Sequence, residues 1–270
     1  MLNREETWER LKNIGIVQGS MPSEKWDLSR VDLSFSDLKG VDLNGAALVE
    51  TDLGGANLEG ANMSGANLFE AALDGANLIE AELSGADLTG VNLIGANLSR
   101  ANLSRAILSG AYLTDATLSS ADLSDANLSE TDFGRANMSG ANLNRANLSE
   151  ANLYRANLSN SKLREASLNH ANLGEIDLRQ ANLNRADLCG AYLGFAILSG
   201  ANLDGANLSN ADLGKADFSG AILSGANLSG ADLCETKLID ANLDGANLSG
   251  ANLEESIFNI SHTPEEKGNS

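Results

Sequence analysis

The sequence repeats every five residues from Trp26 to Ile260 without an insertion. This region divides into 47 blocks, such as WDLSR, ANLSG and ADLSD. The third position of a block is leucine except for two methionines and three phenylalanines, and the first is alanine in 36 blocks. The second position is mostly Asn or Asp, and the last two are mostly Ser, Gly or charged residues. Any fold of this chain must therefore repeat every five residues.

A period of five fits neither an α-helix, whose face repeats every 3.6 residues, nor a β-strand, which alternates every two. Ser-Gly and Asn-Gly at the end of a block suit a turn with positive φ at its third residue. Four such corners close a coil of four blocks, and stacked coils hydrogen-bond like parallel strands about 4.8 Å apart. We therefore predict an all-β solenoid of about 12 coils, with the leucine and alanine side chains inside.

Blocks such as ANLSG, ADLSD and ANLEG resemble the A(N/D)LXX pattern of the pentapeptide-repeat family. The resemblance covers residues 26–260. It implies a right-handed quadrilateral β-helix with the central Leu and the preceding Ala pointing inward. It implies a fold and not a particular role, because members of this family differ widely in function.

The segments outside the repeat predict a cap and a tail, since a solenoid exposes its core at both ends. In residues 1–25, Asn3 and Glu6 form a candidate capping box, and Trp8 and Leu11 are spaced to share one side of a helix. We predict an N-terminal α-helical cap of about ten residues over the first coil. Three residues would complete this cap: Val17, Met21 and Trp26. At the other end, we expect the last coil to be closed by Ile257, Phe258 and Ile260, followed by a disordered tail at 261–270.

The chain is strongly acidic, with 37 Asp and Glu against 18 Lys and Arg and a net charge of -19. Such a charge repels nucleic-acid phosphates, so we expect no direct nucleic-acid binding. No stretch approaches 18 uninterrupted apolar residues, and the charged start lacks the apolar region of a signal peptide. We expect a cytoplasmic monomer that does not bind membranes.

With four blocks in each coil, every fourth block lies on the same face. The face of Leu28 and every twentieth residue from it (the Leu28 face) carries -6, and the next, the Leu33 face, carries -8. The other two faces carry -2 each. The face that contains Leu103 predicts a ladder of alternating charges: Arg105, Asp125, Arg145, Glu165 and Arg185.

All three tyrosines fall on the Leu33 face, and Phe195 lies at its corner. Outward aromatic side chains on a surface of Asn, Ser and Asp are candidate protein contacts. Isolated exposed aromatic residues are also common in soluble proteins. The candidate partner-contact residues are Tyr112, Tyr154, Tyr192 and Phe195.

The residues that catalysis needs are scarce in this chain. His170 and His262 are the only histidines, and Cys189 and Cys234 lie two coils and one corner apart, too far for a disulfide in this geometry. An open convex rod also offers no cleft that would shift the pKa values of carboxylates. We therefore expect no enzyme activity and no catalytic, cofactor-binding or metal-binding residue.

Three functions remain open. The leading one is a rigid protein-interaction scaffold. The second is an acidic DNA mimic that inhibits or protects an enzyme such as gyrase, which the family resemblance implies. Gyrase-protecting members usually have a C-terminal helical dimerisation module, and many have loops between coils, whereas the repeats here are unbroken. The third is a purely structural rod without a specific partner.

Overall fold

The computed structural model describes residues 4–13 and 26–258. The described parts contain one helix, α1, at Arg4–Asn13. The β-structure consists of isolated parallel bridges, in which the second residue of each block pairs with its equivalent four blocks along the chain, as Asp27 does with Ala47. These bridges run without a break from Asp27 to Ile257. The predicted β-solenoid is confirmed, with four blocks in each coil.

Backbone hydrogen bonds explain why a five-residue block suffices as the repeating unit. In residues 121–125, the N–H groups of Asp122, Leu123 and Asp125 donate to carbonyls of neighbouring coils at 2.7–3.0 Å. The N–H of the first residue donates across the preceding turn to Leu118, at 3.0 Å. The remaining N–H, that of Ser124, donates to the Asp122 carboxylate at 3.0 Å. The Asn or Asp at the second position therefore satisfies the one backbone donor that the coils leave over.

The core is a column of side chains along the solenoid axis. The leucines of the third position and the alanines of the first are buried from residue 38 to residue 238, nearly all with 0 or 1% of their surface exposed. Each block thus contributes one large and one small inward side chain, as predicted. The second, fourth and fifth positions face outward, so any function of the described coils depends on those residues.

Helix α1 lies against the first coil. Leu11 is fully buried, and Trp8 stacks on Trp26 with ring centroids 5.6 Å apart. The Thr7 hydroxyl accepts the N–H of Asp42 at 2.8 Å. The other predicted cap residues, Val17 and Met21, lie outside the described residues.

The C-terminal end of the described coils is more open. Core-position side chains from Ala241 onward are only partly buried, including Phe258, and Leu253 is exposed. Ile257 stands at an outward second position and is exposed, so the expectation that it helps to close the last coil is wrong. Ile260 and the predicted tail at 261–270 lie outside the described residues.

Candidate protein-contact site

The four candidate contact residues lie on the Leu33 face, at outward positions. Tyr112, Tyr192 and Phe195 are 53%, 43% and 55% exposed. Tyr154 is half-buried. Tyr112 and Tyr192 occupy the same column but are four coils apart, which corresponds to about 19 Å. The structure therefore groups the last three aromatic residues and leaves Tyr112 separate.

A column of glycines lies beside these rings. All five glycines at the fourth position of a block lie on the Leu33 face, although the repeat has four faces: Gly54, Gly134, Gly174, Gly194 and Gly214. The last four occupy successive coils with Tyr154 as the single interruption. Because glycine has no side chain, this column forms a smooth strip along the solenoid. The column was not predicted above, although an alignment of the equivalent blocks of successive coils reveals it in the sequence.

Tyr192 leans across the glycine column. A Cβ atom at Gly174 would lie 2.7 Å from Cε1 of Tyr192, and one at Gly194 would lie 2.6 Å from its hydroxyl oxygen. Both distances are shorter than nonbonded contacts allow, so this position of the ring requires glycine at both sites. The same Cβ at Gly174 would lie 3.2 Å from Cδ2 of Tyr154. Both tyrosine rings therefore border the space in front of Gly174.

The Tyr154 side chain is held by a charged pair. Its hydroxyl donates to Oε1 of Glu175 at 2.6 Å, and Arg155 donates to both oxygens of the same carboxylate. The Arg155 guanidinium lies 5.0 Å from the centre of the Tyr154 ring. The hydrogen bond to Glu175 raises the pKa of Tyr154, and the bonds from Arg155 and Tyr154 lower the pKa of Glu175. Tyr154 is thus fixed in place before any partner arrives.

Phe195 extends this group of rings. It occupies the fifth position of the block that contains Tyr192, and the Lys215 ammonium lies 5.5 Å from its ring centre. Lys215 also pairs with Glu235 at 3.2 Å. We call Tyr154, Gly174, Tyr192, Gly194 and Phe195 the aromatic patch.

Phe35 is an exposed aromatic residue that the sequence analysis did not single out. It is 84% exposed and lies eight coils before Phe195, at the same position of the same face. Counting back coil by coil from Phe195 would have found it. The Leu33 face therefore has exposed aromatic side chains near the N-terminal end of the solenoid as well as in its second half.

The negative charge of the Leu33 face is unevenly distributed. Its blocks between residues 31 and 115 carry -4, and those between residues 231 and 255 carry another -4. The blocks between residues 131 and 215, which contain the aromatic patch, carry no net charge. The patch is therefore a neutral surface between two acidic ones.

The predicted charge ladder on the face of Leu103 forms only in part. Arg145 pairs with Asp125 at 2.7 Å, and this bond lowers the pKa of Asp125. Glu165 pairs instead with its neighbour Arg164 at 3.1 Å. Arg105 and Arg185 form no ion pair within the described residues. An exposed arginine can pair with an acidic residue of its own block or of an adjacent coil, and residue spacing alone does not determine which pair forms.

The described residues offer little for catalysis or metal binding. They contain no group of three or more His, Cys, Asp or Glu side chains that could hold a metal ion. Cys189 and Cys234 are unpaired thiols, and burial is the main cause that raises the pKa of Cys234. A raised pKa keeps this thiol protonated, which makes it a poor nucleophile. No helix in the described ranges is long and apolar enough to cross a membrane.

Coils of four five-residue blocks, with leucine inside and Asn or Asp bridging most corners, define a β-solenoid of pentapeptide repeats. The family model described as Pentapeptide repeats matches eight overlapping or adjoining segments that together extend from residue 27 to residue 259. The chain therefore belongs to the pentapeptide-repeat family.

Several solved structures of pentapeptide-repeat proteins are similar to this chain. HetL, a protein involved in heterocyst differentiation regulation from Nostoc sp. strain PCC 7120, is 32% identical, with 97% of this chain and 99% of HetL covered and a TM-score of 0.42. A trypsin-treated form of QnrB1, a plasmid-mediated fluoroquinolone resistance protein, is 17% identical, with coverages of 88% and 93% and a TM-score of 0.37. A protein of the Arabidopsis thaliana thylakoid lumen is 29% identical over 42% of this chain and 69% of its own, with a TM-score of 0.24. No curated protein matches the chain.

Proposed function

We propose that this protein is a non-enzymatic, rigid scaffold that binds a protein partner through the Leu33 face. The observation that carries the proposal is the aromatic patch, in which two tyrosine side chains lie beside a column of glycines and the exposed Phe195 follows Gly194 in the chain. The proposal includes the right-handed quadrilateral coil that the family resemblance implies, with about 12 turns and with α1 as its cap. It also includes a monomeric, cytoplasmic state.

The patch has the properties of an interface centre. Tyrosine and tryptophan are enriched among the residues that contribute most to binding, because they bury much apolar surface and retain a polar group. Tyr154 is already held by Glu175 and Arg155, so its side chain loses little further conformational entropy when a partner binds. The charges around the patch sum to zero, so a partner that covers it meets no excess of either sign.

A pull-down from a lysate of the source organism tests the proposal. We expect Tyr154→Ala and Tyr192→Ala each to lower recovery of the bound partner by about fivefold or more, since central aromatic residues typically contribute more than about 1 kcal/mol. The matched control is Ile222→Ala, because Ile222 is as exposed as Tyr192, at 43%, but lies on another face. If all three variants recover the same proteins as wild type, the patch is not the contact surface, and a purely structural rod becomes the better interpretation.

A second candidate function is the acidic DNA mimic. The observation in its favour is the segment 40–99, which contains nine Asp and Glu and no Lys or Arg over three coils. The neutral middle of the Leu33 face opposes a continuous acidic track along that side. A gyrase supercoiling assay separates the two candidates, because a mimic would inhibit or protect the enzyme at micromolar concentration and a scaffold for another partner would not.

A further inference from the structure

We infer that a depression beside Phe35 on the Leu33 face binds an arginine side chain of the partner protein. The inference rests on the proposed function, because it names the chemistry that the partner brings to this face. The depression lies near the N-terminal end of the solenoid, away from the aromatic patch. Its lining consists of eight residues: Ser34, Phe35, Asp52, Gly54, Gly55, Ala72, Asp74 and Gly75.

The shape of the depression follows from small residues at outward positions. The Phe35 ring lies against Gly55, where a Cβ atom would come within 2.6 Å of two ring carbons. Ala72 occupies a second position, which most blocks fill with the larger Asn or Asp. The glycines and this alanine form the floor, and the Phe35 ring forms one wall. An aromatic wall with 84% of its residue surface exposed is available to a ligand.

Two carboxylates converge on the same floor. Oδ1 of Asp52 and Oδ1 of Asp74 would lie 3.2 and 3.5 Å from a Cβ atom at Gly54. Asp52 accepts the Gly54 N–H at 2.9 Å, which fixes its orientation. An aromatic face beside two carboxylates suits a guanidinium, which stacks on a ring and donates several in-plane hydrogen bonds.

The chain itself supplies no cation to this depression among the described residues. No Lys or Arg occurs between residues 40 and 99. The two basic residues just before this segment are already paired, Arg30 with Glu50 at 3.0 Å and Lys39 with Glu59 at 2.8 Å. The charge of the depression is therefore complementary to a partner's basic residue.

A similar combination of groups, with its arginine present, occurs at Tyr154 among the described residues. The Arg155 guanidinium lies 5.0 Å from the Tyr154 ring centre while it donates to the Glu175 carboxylate. That site contains a ring, a carboxylate and an arginine on the Leu33 face. The Phe35 depression contains the ring and the carboxylates without the arginine.

Fluorescence anisotropy with the full-length protein tests this inference. The probe is a labelled nonapeptide in which arginine alternates with glycine, compared with its lysine and citrulline versions. We expect the arginine peptide to bind about twofold or more tighter than the lysine peptide, and the neutral citrulline peptide not to bind. Equal affinity for the arginine and lysine peptides would overturn the assignment to arginine.

Two pairs of variants separate the depression from general attraction to an acidic rod. Phe35→Ala should weaken binding of the arginine peptide about threefold, whereas Phe69→Ala, which removes an exposed phenylalanine from the Leu28 face, should not. Asp74→Asn should weaken binding more than Asp244→Asn, which removes the same charge from the same block position near the other end. Equal effects within each pair would show non-specific electrostatic binding and overturn the inference.

Failure of the arginine site can be distinguished from failure of the proposed scaffold function. The peptide assay does not involve the aromatic patch, and the pull-down does not require the depression to bind a peptide. Tyr192→Ala could abolish capture of the partner while the two variants within each pair weaken peptide binding equally. In that case the scaffold function stands and the arginine site does not.

Discussion

The fifth residue of every block from Arg30 to Glu255 has a positive φ, between 52° and 73°. Of these positions, 27 are not glycine, and many are Arg, Glu or Asp. A side chain in this left-handed conformation costs roughly 1 kcal/mol or more relative to glycine. Hydrogen bonds to both neighbouring coils and the adjacent turn hold the conformation, so the repeat tolerates many residue types at its corners.

The conformational cost can be measured at Gly85, where φ is +64° and a Cβ atom would meet nothing within 4 Å. We expect Gly85→Val to lower the free energy of unfolding by about 1–2 kcal/mol, because a β-branched residue strongly disfavours positive φ. Gly85→Asn should be nearly neutral, because Asn adopts this region readily. Urea unfolding monitored by circular dichroism measures both. Equal losses for the two variants would contradict a backbone origin of the effect.

The Asp125–Arg145 pair predicts a specific pH dependence. The hydrogen bonds from Arg145 lower the pKa of Asp125 below its ordinary 3.8 in the folded protein. A lowered folded-state pKa stabilises the fold above pH 3.8, and this contribution is lost as the pH falls below 3.8 through the folded-state value. A double-mutant cycle with Asp125→Asn and Arg145→Gln should therefore show favourable coupling at pH 6 that shrinks below pH 3.8. Coupling that is independent of pH would show that the charged form of Asp125 is not responsible.

At the scale of elements, α1 and the first coil stabilise each other through few but well-placed contacts. Trp8 and Leu11 cover the end of the core, and Thr7 accepts a backbone N–H that no preceding coil can bond. Arg10 reaches the same coil and donates to the Lys39 carbonyl at 3.1 Å. We propose that the helix stands in for the preceding coil that the first coil lacks.

Loss of the Trp8 ring should therefore loosen one end of the solenoid. We expect Trp8→Ala to speed hydrogen exchange at Leu33 and Leu38, whose N–H groups bond to the second coil, and to leave Leu143 unchanged. Mass spectrometry of exchanged peptides measures the effect. The control is Glu9→Ala, since Glu9 lies on the exposed side of α1. Faster exchange along the whole chain would argue against local capping.

At the scale of the whole molecule, the solenoid should respond differently to the same change in its middle and at its end. Leu143 and Leu243 occupy the same position of the same face, but Leu143 is fully buried and Leu243 only partly. Leu143→Asp should be severely destabilising, because it buries an unpaired charge among intact coils on both sides. Leu243→Asp should cost much less. Thermal unfolding compares them, and equal losses would contradict a core that is closed in its middle and open near residue 243.

The stacked coils also predict the particle's shape. The proposed count of about 12 coils, at about 4.8 Å per coil, predicts a length of about 55 Å. Small-angle scattering should therefore return an elongated particle with a maximum dimension of at least this size. A compact, nearly spherical particle would contradict the solenoid.

The sequence by itself determined the repeating architecture and the direction of nearly every side chain. With a period of five and four corners per coil, Leu143 had to lie inside, and Tyr112 and Tyr192 had to share a column. The same reasoning failed at Ile257, where the second position points outward, and it overlooked Phe35 and the glycine column although the numbering contained both.

Only the tertiary structure decided which exposed groups interact. Residue counting places Tyr154, Tyr192 and Glu175 on one face, but it does not show that both rings border Gly174 or that Glu175 holds the Tyr154 hydroxyl. It likewise does not show that Glu165 pairs with Arg164 instead of an arginine in the next coil. Core side chains are restricted to a single arrangement, because water is excluded and the packing is close. Surface side chains have several rotamers of similar energy, and their choice depends on neighbours from adjacent coils that only the folded structure brings together.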